Sequence, residues 1–246
     1  MSDALVVIPT YNEIENIERL LRNIFSLQRS FDVLVVDDGS PDGTGQEVRD
    51  LMKTYSSQLH LLEREGKMGL GTAYIAGFKW ALARNYTYIF EMDADFSHNP
   101  NDLIRLYNAC YKGGYDLAIG SRYVKGVNVV NWPMSRVLMS WFASKYVRLI
   151  TGMDIYDTTA GFVCYRRTVL EKINLDKIQF VGYAFQIEMK FKTYLAKFRI
   201  IEVPVVFTDR TKGESKMSGG IISEAIFGVL KMKFKSLFGK NNFNEI

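Results

Sequence analysis

The pattern that most constrains the fold is an alternation of short apolar runs with longer segments of helical period. Strands are predicted at residues 5–8, 33–36, 59–62, 88–92 and 117–120. Helices are predicted between them at residues 14–27, 42–55, 71–84 and 101–111. Strands and helices that alternate in this way form a mostly parallel sheet covered by helices. We therefore predict an α/β fold.

The alternation weakens after residue 121 but continues. Helices are predicted near residues 135–150 and 183–197, strands near 162–165 and 199–206, and a last helix from Gly220. No internal repeat or proline-rich linker divides the chain, so we expect one domain over residues 1–220 and a basic amphipathic tail at 221–246. The chain carries neither a signal-peptide pattern at its start nor an apolar run of transmembrane length.

Composition narrows the class of protein. The chain of 246 residues is 48% hydrophobic and 24% charged, which is typical of a globular protein. Its net charge of +4 is too small for a protein that coats nucleic acid, so no nucleic-acid partner is expected. Two cysteines and two histidines are too few for a zinc site and suit a reducing cytosol, so any metal should be held by oxygen.

Polar clusters follow four of the predicted strands. They are Pro9-Thr10-Tyr11-Asn12-Glu13, Asp37-Asp38-Gly39-Ser40, Asp93-Ala94-Asp95 and Gly120-Ser121-Arg122-Tyr123. Ligands of open parallel sheets collect at the carboxyl ends of the strands. We therefore expect these clusters to line one crevice.

The two carboxylates of Asp93-Ala94-Asp95 are the most informative cluster. They are either a cap for the following helix or, because carboxylates at one strand end repel each other, ligands of a divalent cation that bridges to a diphosphate. Ser97 could add a ligand directly or through water, and His98 is interpreted as a supporting group. Asp38 is either a turn residue or an acceptor of hydrogen bonds from a base or ribose.

The glycine-rich and basic segments complete this interpretation. Residues 66–71 have neither the GxGxxG spacing nor the Walker A ending, which excludes a dinucleotide-binding dehydrogenase and a P-loop enzyme. The glycines of this segment should allow close approach to a ligand or a helix.

Four basic residues, Arg122, Arg136, Arg210 and Lys216, are each compatible with an ordinary surface position. Together with the paired acids they predict a polyphosphate site, with residues 207–216 as a loop.

The motifs resemble, in order, those of one known family. The segments are residues 9–13, 37–44, 69–71, 93–98, 120–123, 131–136, 159–162, 182–188 and 213–216. They resemble the dolichyl-phosphate (polyprenyl-phosphate) mannose synthases of glycosyltransferase family 2 over residues 5 to about 220. The Asn131-Trp132-Pro133 and Gly213-Glu214-Ser215-Lys216 segments are the most specific. The resemblance implies the GT-A (nucleotide-diphospho-sugar transferase) fold.

The resemblance also implies a reaction and a set of site residues. Mannose would pass from GDP-mannose to a polyprenyl or dolichyl monophosphate with inversion, and Mg²⁺ or Mn²⁺ would be the cofactor. The implied donor-binding residues are Pro9, Tyr11, Glu13, Val36, Asp38, Asp93, Ala94, Asp95, Arg122, Arg210 and Lys216. The implied acceptor-phosphate residues are Arg122, Ser135 and Arg136, the implied metal ligands are Asp95 and Ser97, and the implied catalytic residues are Asp95, Arg122 and Arg210.

Two other functions remain open at this stage. One is transfer of glucose or another sugar to polyprenyl phosphate or a different acceptor, and the other is a non-catalytic module that binds a nucleotide or a membrane surface. The intact acidic pair disfavours the module, and residues 131–136 favour mannosyl transfer. A phosphate monoester with a second pKa of about 6 is already an oxyanion nucleophile at neutral pH, so the shortage of histidine fits such an acceptor.

The route to a lipid substrate is predicted from two segments. Residues 220–240 combine Phe227, Leu230 and Phe234 with lysines, and residues 134–150 combine Trp141 and Phe142 with basic residues. Such helices either lie in the headgroup region of a membrane or pack on the core or a partner chain. We expect peripheral attachment to the cytoplasmic face of a membrane, and a separate membrane-anchored protein is a further candidate partner.

Overall fold

The computed structural model describes residues 2–209 and 219–238, and its centre is a seven-stranded sheet. The strands are β1 (Ala4–Thr10), β2 (Asp32–Asp37), β3 (Leu59–Glu63), β4 (Tyr88–Glu91), β5 (Leu117–Ser121), β7 (Val163–Arg166) and β8 (Ile200–Pro204). Their spatial order is β3-β2-β1-β4-β7-β5-β8. All neighbours run parallel except β7, which is antiparallel to both β4 and β5. The predicted α/β fold with a mostly parallel sheet is confirmed.

Helices cover both faces of the sheet. They are α1 (Ile14–Phe25), α2 (Thr44–Thr54), α3 (Leu70–Leu82), α4 (Asp102–Tyr111), α5 (Met134–Thr151), α6 (Arg167–Lys172), α7 (Tyr183–Leu195) and α8 (Gly219–Phe238), with a 3₁₀ turn at Leu175–Lys177. One core layer lies under α1, α2 and α4, and the other lies under α3, α5, α6, α7 and α8. The central strands β1 and β2 are apolar and buried because both of their faces are covered.

The predicted elements are present, and their ends are shifted by a few residues. The differences lie where pairing is not local: Phe207–Thr208, predicted as part of a loop, forms a short strand β9 that runs parallel to β6 (Val129–Val130). A two-residue strand leaves no periodic pattern, so the sequence carries no signal for it. Helix α6 was also missed, because it follows β7 directly.

Two glycines of the 66–71 segment, Gly69 and Gly71, allow close approach to a neighbouring element. Gly69 has a φ of +101°, and a Cβ there would lie 3.1 Å from Val181. A Cβ at Gly71 would lie 2.8 Å from the Phe185 ring. The start of α3 therefore packs on the start of α7 at a distance that a side chain would prevent.

Helix α8 joins the main body of the chain. Val229 is fully buried in the core layer that α5 and α7 share, and Lys233 Nζ donates to the carbonyl oxygen of Thr151 at 3.1 Å. Among the helices of residues 2–209 and 219–238, none combines the length and the apolar content needed to cross a bilayer.

Candidate functional site

The ends of β1 and β2 are held together by side chains that follow directly from the sheet register. Thr10 is the partner of Asp37 across the two parallel strands, and its Oγ1 donates to Asp37 Oδ1 at 2.8 Å. The backbone N–H of Ser40 donates to the other carboxylate oxygen of Asp37 at 2.9 Å. Asp37 therefore fixes the turn after β2, and the predicted donor residues Pro9 and Val36 are register partners just before it.

Asp38 points into the protein beside Arg64. Arg64 Nε lies 2.7 Å from Asp38 Oδ1, and both side chains are 8% exposed. Burial raises the pKa of Asp38 above its ordinary value, and the Arg64 guanidinium opposes that shift. Gly39 has a φ of +68°, and a Cβ there would lie 3.3 Å from the carbonyl oxygen of Arg64. Glycine is required here because the turn must bring Asp38 close to the end of β3.

Tyr11 and Glu13 lie half-buried on the loop after β1. The Lys67 ammonium lies 5.1 Å from the centre of the Tyr11 ring, and the backbone N–H of Glu13 donates to Thr44 Oγ1 at 3.0 Å. Tyr11, Glu13 and Asp38 form one edge of the crevice, because they follow β1 and β2, which are neighbours in the sheet beside β4.

The acidic pair follows β4, next to β1. Asp95 Oδ1 accepts the backbone N–H of Ser97 at 3.0 Å, and Tyr74 Oη donates to Asp93 Oδ1 at 3.3 Å. Asp93 and Asp95 are half-buried, whereas Ala94 and Ser97 are buried. The turn thus leaves both carboxylates in contact with the crevice.

His98 supports this turn as a neutral imidazole. It stacks on Phe162 with ring centres 4.8 Å apart, and its Nδ1 accepts the backbone N–H of Asp93 at 3.4 Å. Burial lowers the pKa of His98 to about 4, although the nearby Asp95 carboxylate opposes that shift. A neutral imidazole is the form that can accept this hydrogen bond.

A buried polar network lies behind the acidic pair. Gln186 Nε2 donates to Glu91 Oε2, and Lys190 Nζ donates to the carbonyl oxygen of Ala160 at 2.6 Å and to Gln186 Oε1 at 3.2 Å. Burial raises the pKa of Glu91 to about 7, and burial lowers the pKa of Lys190 to about 8, with each charge opposing the other's shift. This network joins β4, α7 and the segment before β7.

Arg122 is held by a fully buried carboxylate. Asp157 accepts Arg122 Nε at 2.7 Å, Arg122 Nη2 at 2.6 Å and the Arg122 backbone N–H at 2.9 Å. Thr159 Oγ1 lies 2.8 Å from Arg122 Nη2. Burial of Asp157 disfavours its charge, but Arg122 outweighs that effect and lowers the pKa of Asp157. The Arg122 side chain is 10% exposed.

Arg136 stands in the first turn of α5, beside the exposed Ser135. Its guanidinium lies 4.1 Å from the centre of the Trp132 ring, and Nη1 lies 3.0 Å from Asp209 Oδ1. The Arg122 guanidinium is 5.4 Å from the centre of the same ring. The two arginines predicted for the acceptor phosphate therefore meet at Trp132.

The acidic turn and the arginine pair are neighbours. The backbone N–H of Thr208 donates to the carbonyl oxygen of Ser97 at 3.3 Å, and the Phe207 ring lies 5.5 Å from His98 and 5.2 Å from Trp132. Strand β9 thus connects the two halves of the crevice. Arg210 and Lys216 lie outside the described residues.

Several partners of the predicted site residues were not predicted from the sequence. Arg64, Tyr74, Asp157, Gln186 and Asp209 are set by long-range packing, and none lies in the predicted strand-end clusters. Two motifs were signals in reach: residues 159–162 begin just after Asp157, and residues 182–188 contain Gln186.

The oxygen ligands of the acidic turn fit a divalent cation that is shared with a substrate. Ser97 Oγ is buried and has no hydrogen-bond partner within the part of the chain that the structure describes. In the same part, no group of three His, Cys, Asp or Glu side chains could hold an ion. A hard cation held by one or two carboxylates and completed by substrate phosphates needs no such group.

Comparison with known proteins identifies the family of the chain. Residues 5–174 match the model of the family described as Glycosyl transferase family 2. The polyprenol monophosphomannose synthase of Mycolicibacterium smegmatis is 48% identical, over 92% of this chain and 84% of its own length. The undecaprenyl-phosphate mannosyltransferase of Micrococcus luteus is 48% identical over 92% of both chains.

A more distant relative and a solved structure extend this comparison. The dolichol-phosphate mannosyltransferase of Pyrococcus furiosus is 37% identical, over 92% of this chain and 62% of its own length. The mannosyltransferase PcManGT of Pyrobaculum calidifontis, solved with GDP-Man and Mn²⁺, superimposes with a TM-score of 0.62 at 19% identity, over 98% of this chain and 65% of that one. The structural likeness shows the GT-A-like fold. The matched family model and the relatives at 48% identity establish that the chain belongs to glycosyl transferase family 2.

Proposed function

We propose that the chain transfers mannose from GDP-mannose to the phosphate of a polyprenyl or dolichyl monophosphate, with inversion at the anomeric carbon. The observation that carries the proposal is the contact between an acidic strand-end turn and a pair of arginines, made through β9. An acidic turn suits a metal-bound diphosphate, and arginines suit a second phosphate. The names of the relatives at 48% identity support mannose as the sugar and a polyprenyl phosphate as the acceptor.

The donor is proposed to lie along the ends of β1, β2 and β4. The guanosine end contacts Pro9, Tyr11, Glu13, Val36 and Asp38, and the diphosphate contacts Asp93, Ala94 and Asp95. Asp95 and Ser97 would hold the Mg²⁺ or Mn²⁺. The ion, when bound, neutralises the charge that develops on the departing GDP. Arg210 and Lys216, which lie outside the described residues, are assigned to the donor by resemblance alone, and Arg210 to catalysis.

The acceptor phosphate is proposed to contact Arg136, Ser135 and Arg122. A phosphate monoester is already an oxyanion at neutral pH, because its second pKa is about 6. The chain therefore needs no general base, and its task is to hold the acceptor oxygen in line with the anomeric carbon. Arg122, fixed by Asp157, supplies a cation that does not move when substrate binds.

The membrane surface is proposed as the place where the reaction occurs, on the cytoplasmic face. Helix α5 exposes Trp141 and Phe142 on the element that carries Arg136, and α8 exposes Phe227 and Phe234. An apolar patch of this kind beside a phosphate site suits an acceptor whose chain lies in lipid.

The decisive experiment compares two donors. The purified chain is incubated with polyprenyl phosphate, Mg²⁺ or Mn²⁺, and either radiolabelled GDP-mannose or radiolabelled UDP-glucose, and the lipid product is extracted into butanol. We expect label in the lipid phase from GDP-mannose and loss of that label when EDTA is added. Label from UDP-glucose alone would identify a glucosyltransferase, and no label from either donor would contradict the proposal.

A further inference from the structure

We propose that Asp209 is a positioning residue that occupies Arg136 as an internal counter-ion until the acceptor phosphate displaces it. This inference rests on the proposed function, since it assigns a second anion to the same arginine. It also makes Asp209 a determinant of specificity, because only a ligand that competes with a carboxylate can take its place.

The two arginines at Trp132 have very different partners. Asp157 is fully buried and accepts three hydrogen bonds from Arg122, so Asp157 stays on Arg122 when a ligand binds. The side chains of Arg136 and Asp209 are 21% and 26% exposed. Arg136 Nη1 makes both contacts with Asp209, at 3.0 and 3.1 Å. This is not the two-nitrogen fork of the strongest arginine–carboxylate pairs, so the pair with Asp209 is the exchangeable one.

The geometry allows the exchange without moving the guanidinium. Trp132 lies 4.1 Å from the Arg136 guanidinium, and this cation–π contact is independent of Asp209. The backbone N–H of Asp209 donates to the carbonyl oxygen of Val130 at 3.0 Å, so the main chain of Asp209 is held by β6. The carboxylate can rotate away by side-chain torsion while Arg136 stays on the ring. The site is therefore already formed when the phosphate arrives.

The charge of the competing ligand decides the exchange. A phosphate monoester carries a charge of about −1.5 to −2 at pH 7 and three acceptor oxygens, against one negative charge and two oxygens for Asp209. A phosphodiester carries a single negative charge, and an alcohol carries none. Asp209 therefore favours a monoester over both, at the expense of some affinity for the monoester itself.

Replacement of Asp209 by Asn tests the proposal, with a short soluble prenyl phosphate as acceptor so that membrane binding does not enter. We expect the KM for the acceptor to fall about two- to fivefold, which corresponds to removal of a partly exposed ion pair. The affinity for GDP-mannose, measured by calorimetry, should stay at the wild-type value. If Asp209 merely holds Arg136 in place, D209N should instead raise the acceptor KM, as R136A does.

A double-mutant cycle with Arg136→Ala locates the effect. R136A alone should raise the acceptor KM and leave GDP-mannose binding unchanged. In the R136A background, D209N should produce no further decrease in KM, because the arginine that it releases is absent. A persistent decrease would show that Asp209 acts through general charge and would overturn the proposal.

The other end of α5 provides a matched control. Arg148 lies 4.1 Å from the centre of the Tyr156 ring and 3.0 Å from Asp154, so it repeats the arrangement of Arg136. D154N makes the same change in net charge, and we expect it to leave the acceptor KM at the wild-type value. An equal decrease in D154N and D209N would contradict the proposal.

Binding of phenyl phosphate, followed by ³¹P NMR titration, separates this inference from the proposed function. If the wild-type chain transfers no sugar, the proposed function fails, and the titration still tests Asp209. Phenyl phosphate should bind D209N more tightly than wild type. Equal or weaker binding to D209N would overturn the inference even in an active enzyme.

Discussion

At the scale of single residues, burial separates the charged groups that hold the site from those that meet substrate. Asp157 is fully buried against Arg122, whereas Asp95, Arg136 and Asp209 remain partly exposed. The strand-end acids could be predicted because parallel strands bring their carboxyl ends together. Their partners could not, since Arg136 and Asp209 are 73 positions apart and no local pattern relates them.

Replacement of Asp95 by Ala tests the acidic turn. We expect transfer from GDP-mannose to fall by about 10²-fold or more, because a group that stabilises charge in the transition state is lost. Asp95 is half-buried, and the hydrogen bond that its Oδ1 accepts from the backbone N–H of Ser97 is local to the turn, so the fold should persist. Turnover is measured at saturating Mn²⁺, and the fold is checked by circular dichroism.

The control for Asp95 is Asp50→Ala, which removes a carboxylate exposed on α2 and paired with Lys53. We expect D50A to keep wild-type turnover. Full activity of a well-folded D95A protein would remove Asp95 from the list of metal ligands and leave the turn as a simple helix entry.

At the scale of elements, the sequence predicts what local periodicity encodes. The buried strands β1 and β2 and the amphipathic α1 were found because their apolar residues repeat at the spacing of a strand or a helix. The antiparallel direction of β7 was not found, because direction depends on how the chain returns to the sheet. The polar network between β4 and α7 was missed for a related reason: Glu91 and Gln186 are 95 positions apart.

The polar network between β4 and α7 predicts how replacement of Lys190 changes the stability of the fold. Lys190→Met should lower the free energy of unfolding by about 1–3 kcal/mol, because it removes the charge that opposes the effect of burial on Glu91 and leaves the carbonyl oxygen of Ala160 without this hydrogen bond. The additional change Glu91→Gln should recover part of this loss, since a neutral amide can still accept the hydrogen bond from Gln186. Urea unfolding of the single and double variants measures the coupling.

The pH dependence of the Lys190→Met variant has a definite sign. The pKa of Glu91 is raised to about 7 in the folded chain with Lys190 present, and loss of the lysine raises it further. A folded carboxyl with a raised pKa binds more protons than the unfolded one, so stability falls as pH rises from about 4.5 through the folded pKa. The variant should therefore lose more stability relative to wild type at pH 8 than at pH 5.5. A pH-independent difference would show that Lys190 contributes through packing alone.

At the scale of the whole molecule, the substrate crevice and the exposed apolar helices belong to one body. Helix α8 covers most of the predicted tail at residues 221–246, and its Val229 is fully buried in the shared core layer. Removal of the tail would therefore expose that core, so point changes on the outer faces are the sharper test of membrane docking. The apolar residues on those faces could be predicted from helical spacing in the sequence. The contact of α8 with α5 and α7 could not, because it is visible only in the folded chain.

Two double variants test docking through exposed side chains only. Phe142 is 57% exposed on α5, and Phe227 and Phe234 are 72% and 64% exposed on α8. We expect W141S/F142S and F227S/F234S each to weaken sedimentation with anionic liposomes by about tenfold or more, since full burial of one large apolar side chain contributes about 1.5–3 kcal/mol. Binding should also weaken as salt rises, because each lysine near an anionic surface contributes about 1 kcal/mol.

The control for docking is Tyr111→Ser, which removes an aromatic side chain that is 58% exposed on α4, beside Tyr88 at the start of β4. The acidic turn lies beyond the other end of that strand, so Y111S removes an aromatic group from the part of the molecule that faces away from the crevice. We expect Y111S to sediment with liposomes like wild type.

The docking variants should keep wild-type activity on a short soluble prenyl phosphate and lose it on a long-chain acceptor in liposomes, because only the second substrate requires the surface. Unchanged sedimentation of both double variants at low salt would assign these faces to a protein partner instead of a membrane.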